Sequence, residues 1–497
     1  MRAIVNNARG KGSTRRMTLL LAAVCLAAAG FTPCRAQQVQ VFASSKAGDR
    51  LARKPSLRFE PGKPAASPTF RIDDSVTYQE IDGFGASFLE AGLVCLHSLP
   101  PGKQEEVLRA LFDPGTGAGF TVMKTVMAAT DFMSAGPFYS YDDTPGDTEL
   151  KHFSIQRDLR PNGLITFIKR ARKYGQFRLE APMDYPPDWM LTTVEDRKHQ
   201  DVNPRYYGAL AQYYLRYLQE YQKHGVFIDY LSLFNEPGIY TKIPYESIRT
   251  LYKDHVAPLF QQAGVKTKLC FAEAEDRESA AANYPIVLDD PEARKFVPLL
   301  PFHGYRWKSS EPMTSLHKRY PDLKIWQTEV CYSYGSGTPP SMPLPRYDFL
   351  DGDFWGNLLV TDLEENSSAW IYWNMISDQT GGPWLVSEEH EDYPANIQHP
   401  VVIIDRKKQQ VTYSGLYYYL AHFSKFVRPG SVRVDTQGSD EHVRVIAFKT
   451  PEGRLVAEVL NSQHVPATVH LAWHDCDLRV DLQPLSITTL QWSAEVK

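Results

Sequence analysis

Between Ile81 and Phe426 the chain repeats one unit: a short apolar run, then a segment with helical spacing of its apolar residues. The runs are 81–88, 120–127, 177–181, 231–235, 267–272, 301–305, 324–330 and 370–374. Helices are predicted through Lys103–Phe112, Leu164–Lys173, Tyr206–Tyr221, Tyr245–Ala263 and Tyr413–Phe426, with Gly225 and Gly264 as C-terminal stops. Strands alternating with helices pair in parallel, and parallel strands need cover on both faces. Eight such units predict an α/β fold, a closed (β/α)8 TIM barrel. Length agrees, because 497 residues hold one such barrel and a smaller domain.

The flanks follow a different rule. Beyond Gly430, five segments alternate apolar and polar residues between turn signals, which predicts a β-sandwich. Val39–Phe42 and Thr69–Asp73 alternate in the same way, so the sandwich is expected to draw strands from both chain ends. The expected division is 1–36 as an export signal, 37–76 as N-terminal strands, 77–428 as the barrel and 429–497 as the C-terminal sandwich. In the first segment Arg15-Arg16 precede an apolar run, Met17 to Phe31, and Ala36 offers a small residue for cleavage. The run is short for a spanning helix, so the mature chain is expected to be periplasmic or extracellular with no integral membrane segment. Thr14-Arg15-Arg16 loosely resembles a twin-arginine signal, and the route stays open. A net charge of −4 gives no reason to expect nucleic acid or an anionic membrane as partner.

Cys25 and Cys34 are expected to leave with the signal, and Cys95, Cys270, Cys331 and Cys476 show no CxxC spacing. One bridge or four buried thiols both fit. The 14 histidines include no HExxH pair, so neither a metal nor another cofactor is expected.

Two carboxylates stand at strand ends. The fourth run breaks at Asn235-Glu236-Pro237, where Pro forbids a longer ladder. The seventh ends in Trp326-Gln-Thr-Glu-Val-Cys331, which carries Glu329. In a β/α barrel the carboxyl ends of the strands form the reactive face. Splitting a glycosidic bond needs two carboxyl groups there, one to protonate the leaving oxygen and one to attack or activate water. Glu273 and Glu275, ending the fifth strand, are further candidates, as supports to the pocket more than as contacts to substrate.

Several blocks resemble the glucosylceramidase-like glycoside hydrolases of family 30. They are Ile81-Asp-Gly-Phe-Gly-Ala-Ser87, Thr130-Asp-Phe132, Tyr139-Ser-Tyr-Asp-Asp143, Pro186-Pro-Asp-Trp-Met190, Asn235-Glu-Pro237, His303-Gly-Tyr305, Trp326–Cys331, Trp373-Asn374 with Gly381-Gly-Pro-Trp384, and His422-Phe-Ser-Lys-Phe426. The resemblance implies a secreted retaining β-glycosidase acting by double displacement on a carbohydrate or glycoconjugate. Glu236 would be the acid/base and Glu329 the nucleophile. Asn235 would bind the sugar 2-hydroxyl and Asp131 hydroxyls across the ring. Trp373 and Asn374 would line the floor, while His303 and Tyr305 would orient the nucleophile.

Three positions depart from the family pattern. Lys124 stands where Arg is usual, Phe234 where Gln is usual, and Asp184 where a pocket Trp is usual. Asp184 exchanges a stacking wall for an acidic acceptor, which leaves glucosylceramide open against a β-1,6-glucan, a xylan, a β-xyloside or a β-fucoside. The rival reading from another class is a carbohydrate-binding barrel without catalysis.

Overall fold

The computed structural model describes residues 37–62, 68–130, 132–134, 136–192, 201–239, 241–305, 311–332, 348–383 and 398–495. Its central sheet is a ring of parallel strands in chain order. These are β1 (Gly83–Ser87), β2 (Val122–Lys124), β3 (Arg178–Pro182), β4 (Tyr230–Ser232), β5 (Lys268–Cys270, resuming at Ala274–Asp276), β6 (Leu299–Tyr305), β7 (Lys324–Glu329) and β8 (Ser367–Asn374). β8 pairs with β1, while the two halves of β5 pair with β4 and β6 respectively, and the ring closes. This is the expected (β/α)8 barrel.

Packing explains the glycines of the first motif. A Cβ on Gly85 would sit 1.8 Å from the carbonyl oxygen of Val122, so β1 reaches β2 only without a side chain there. The lower end of the barrel is plugged by Val122, Tyr230, Cys270, Leu299, Trp326, Ala369 and Ile371, all buried. Trp326 satisfies its indole N–H on Asp82 at 2.9 Å. With the bottom filled, polar chemistry is left to the upper end.

Helix Tyr207–Lys223 ends before Gly225, whose φ of +80° suits glycine. The long helix expected over 245–263 is not uniform. It runs Tyr245–Thr250, widens into a π-helical turn over Leu251–Val256, and resumes over Ala257–Gln262. Pro258 has no N–H to give to the preceding turn, and the ladder adjusts around it. Helices Arg277–Leu288 and Phe349–Glu364, and a small sheet of Ile376–Asp378, Val402–Asp405 and Gln410–Tyr413, were not anticipated.

The second layer is a ten-stranded sheet that wraps around its own core. Strand Gln38–Ser45 runs antiparallel to the C-terminal Ser486–Ser493, and Thr69–Glu80 lies between Val432–Gln437 and Ala467–Trp473. Both chain ends therefore build it. Thr69–Glu80 continues four residues past Val76, which moves the junction with the barrel to Ile81. Phe59 is buried inside and packs on Trp473 and Trp492, with ring centroids 5.6 and 5.4 Å away. Cys95, Cys270 and Cys331 are buried and form no disulfide, whereas Cys476 is disulfide-bonded. No helix among the described residues is long and apolar enough to cross a membrane.

Where sandwich and barrel meet, a polar chain is sealed from water. His422, on helix Gly415–Phe426, contacts Thr489 Oγ1 through Nδ1 at 2.6 Å and Ser44 Oγ through Nε2 at 3.0 Å. Thr489 in turn donates to Glu458 Oε2 at 2.7 Å. All four residues are fully buried.

Candidate active site

The upper ends of β2 and β4–β7 bring together a cluster of charged side chains. Glu236, four residues beyond β4, sits in the left-handed region at φ +43°. A non-glycine residue there costs on the order of 1–3 kcal/mol and persists only where its surroundings enforce it. Here the Glu236 N–H donates to the Glu273 carbonyl at 2.8 Å, the Asn235 N–H to Met183 at 2.8 Å, and Ile239 closes a turn back onto Glu236 at 2.9 Å. The turn that follows the strand thus aims the Glu236 carboxylate over the barrel mouth.

Glu329 ends β7 and faces it. One oxygen of Glu236 and one of Glu329 lie within 4.8 Å of each other, and a nitrogen of His303 lies within that distance of both. Both carboxylates are nearly buried. Lys124 Nζ reaches Glu329 Oε2 at 2.8 Å, Glu273 Oε2 at 3.1 Å and the Asn235 carboxamide oxygen at 3.2 Å. It also lies 5.4 Å from the centroid of the Trp373 ring. The lysine is fully buried; burial would strip its proton, but Glu273 and Glu329 outweigh that and hold its pKa above the usual lysine value.

His303 contacts Glu236 Oε1 through Nδ1 at 2.7 Å and Glu273 Oε2 through Nε2 at 3.1 Å, and lies 3.7 Å from Glu329. Its nearer partner is therefore Glu236. Burial pulls its pKa down, yet Glu329 and the bonds to Glu236 and Glu273 prevail and push it up to about 9. Tyr305 donates its hydroxyl to Glu329 Oε1 at 2.9 Å, and burial keeps that hydroxyl protonated. Asn374 is buried and donates to Gln398 at 2.5 Å, its carboxamide oxygen having no partner among the described residues. Asp184 is buried two residues past β3. Asp131 and Trp384 lie outside the described residues.

Glu236, His303 and Glu329 are the trio that distance alone would allow to hold a metal among the described residues. As an imidazolium donating from both nitrogens, His303 has no lone pair for an ion. The donor set suits proton handling better than metal ligation.

Residue-by-residue reading missed two partners. Thr328 donates to Glu273 Oε2 at 2.7 Å. Glu180, in the middle of β3, is buried against Glu273. Its signal was present, since a carboxylate interrupts the apolar run of a strand that is covered on both sides. Glu273 is fully buried and touches Lys124, His303 and Thr328, while Glu275 is half-buried.

Comparison with known proteins fits this geometry. The model of the glycosyl hydrolase family 30 TIM-barrel domain matches residues 81–427, and that of the family's β-sandwich domain matches 430–490. The chain belongs to glycosyl hydrolase family 30. Its family relatives include the lysosomal acid glucosylceramidase of Mus musculus, 26% identical over 79% of this chain and 77% of that one. The endo-1,6-β-D-glucanase of Neurospora crassa is 28% identical over 85% of each chain. Among solved structures, SrfJ from Salmonella typhimurium superposes with a TM-score of 0.82 at 21% identity, over 92% of this chain and all of that one. The chain is thus a glycoside hydrolase of family 30 by sequence, with a shared fold.

Proposed function

We propose that this protein is a retaining β-glycosidase in which Glu329 is the nucleophile and Glu236 the acid/base. The observation that carries this is the approach of their oxygens to within 4.8 Å. Retaining pairs stand about 5–5.5 Å apart, whereas inverting pairs need roughly 6.5–9.5 Å to admit water between them.

In the first step a Glu329 oxygen attacks the anomeric carbon while Glu236 gives its proton to the glycosidic oxygen, and the aglycone leaves as an alcohol. Lys124 and Tyr305 hold both Glu329 oxygens, which fixes the line of attack. In the second step Glu236 takes a proton from water, the resulting hydroxide attacks the anomeric carbon, and the ester to Glu329 breaks. Asn235, pinned by Lys124, is placed to meet the sugar 2-hydroxyl, where hydrogen bonds strengthen in the transition state. Trp373 and Asn374 form the floor, and Asp131 and Asp184 are assigned to the remaining hydroxyls.

Both named relatives act on glucosyl units, which supports a β-glucoside as first substrate. The test is Glu329→Ala on an aryl β-glucoside, xyloside, fucoside and galactoside. Activity is expected to collapse on every substrate the wild type cleaves; hydrolysis at near wild-type rate would overturn the assignment. Export is part of the same proposal. It is supported by the N-terminal basic and apolar pattern. N-terminal sequencing of protein from the culture medium or periplasm checks it, and an intact Met1 would count against it.

A further inference from the structure

We propose that Glu273 is a positioning residue for both reacting carboxylates, and that it acts as the ionised half of a proton-sharing pair with Glu180. The proposal rests on Glu236 and Glu329 being the reacting pair. Three donors converge on one Glu273 oxygen, Oε2: Lys124 at 3.1 Å, His303 at 3.1 Å and Thr328 at 2.7 Å. Two of these donors continue to the reacting groups. Lys124 holds Glu329 at 2.8 Å, and His303 holds Glu236 at 2.7 Å. The backbone of the same residue accepts the Glu236 N–H at 2.8 Å, so Glu273 also supports the left-handed turn. One side chain therefore links the holders of both carboxylates, and a shift in it would move both.

The other side of Glu273 explains Glu180. Both oxygens of Glu180 and Oε1 of Glu273 are buried with no donor among the described residues. The two carboxyl groups face each other in this dry space. Two carboxylates in such contact cannot both ionise, and one shared proton joins a Glu180 oxygen to Oε1 of Glu273. Glu273 already has three donors on Oε2, which favours its anion; Glu180 has none, which leaves it the proton. Burial and the Glu273 charge push the Glu180 carboxyl well above its usual range, while Lys124 and His303 draw Glu273 well below. The titratable groups facing the pair are Lys124, His303, Glu329, Cys270, Tyr217 and Tyr284. Facing the Glu236–His303 contact are Glu329, Lys124 and Tyr305.

Glu273→Gln keeps the shape and removes the charge. Outer partners of metal ligands contribute roughly 10–100-fold, and kcat on an aryl β-glycoside is expected to fall by about the same factor. Losing a nearby anion lets the proton held by His303 leave earlier, so the alkaline limb of the pH–rate profile moves to lower pH. Wild-type kcat, or a fall in kcat with an unmoved limb, would overturn the proposal. Glu329→Ala runs in parallel: if it stays active, the assignment of the reacting pair fails instead. Should Glu273→Gln not fold, Glu180→Gln decides by infrared spectroscopy. The wild type is expected to show a carboxylic-acid C=O band that this variant lacks, and the variant's kcat loss to be smaller than that of Glu273→Gln. An unchanged band or an equal loss would overturn the pairing.

Discussion

The barrel mouth and the barrel–sandwich seam each bury a histidine beside a glutamate, with opposite results. At the mouth, His303 rises to about 9 and Glu273 falls well below its usual range. At the seam, burial drives His422 down to about 3 and Glu458 up to about 8. The residue types match and the burial is complete in both. What differs is the company. His303 has carboxylates on both nitrogens and Glu273 has a lysine, whereas His422 touches only hydroxyls, with Glu458 3.9 Å away behind Thr489. Burial neutralises a titratable group unless an opposite charge is already buried with it. The mouth is a charged machine and the seam a neutral lock.

The largest break in that contrast is Lys124→Met. It leaves Glu273 and Glu329 buried without their shared cation, and breaking a buried pair from one side typically destabilises by about 3–5 kcal/mol. Urea unfolding should show a loss of that order, with hydrolysis falling alongside; a loss under about 1 kcal/mol, the range of a surface pair, would contradict the picture.

The seam should instead show itself through pH. Folded Glu458 stays protonated to about pH 8, while its ordinary value is 4.5. The folded chain holds the extra proton between those values, so this contribution is full below pH 4.5 and is lost as pH rises towards 8. His422 works the other way: its ordinary value is 6.5 and its folded value about 3, so its contribution is lost as pH falls from 6.5 towards 3. Glu458→Gln should flatten the alkaline side of a Tm–pH curve and His422→Gln the acid side. Unchanged slopes in both variants would show that the seam is not neutral.

The smallest effect belongs to Thr489→Val, which removes the hydroxyl between the two. A buried group left unsatisfied costs about 1–3 kcal/mol, so a modest drop in Tm is expected with kcat unchanged.

Much of this was legible along the chain. Eight apolar runs with intervening helices announce the barrel because parallel strands are buried on both faces and carry little polar residue. Strand Ala52–Arg58 was not legible, since Arg53, Lys54, Pro55 and Arg58 make it a charged edge strand. Strand Cys476–Leu482 alternates between buried positions and wholly or partly exposed ones and could have been read from that alternation. At the site, the strand-end position of Glu236 and Glu329 carried them. Glu180 and Thr328 sit inside strands, and only closure of the ring shows which neighbours they meet.

The sequence by itself determined the (β/α)8 barrel, the sandwich shared by both chain ends, and the two strand-end carboxylates, because periodicity and chain breaks are local properties. The tertiary structure alone decided how charge is distributed. Lys124, Glu180, His303 and Glu329 come from four different strands and Glu273 from the break in β5, and their contacts depend on distances across the ring that no local pattern encodes. The lysine at position 124 reads along the chain as a departure from a family arginine. In the folded molecule it is the buried cation that bridges Glu273 and Glu329 across the barrel mouth.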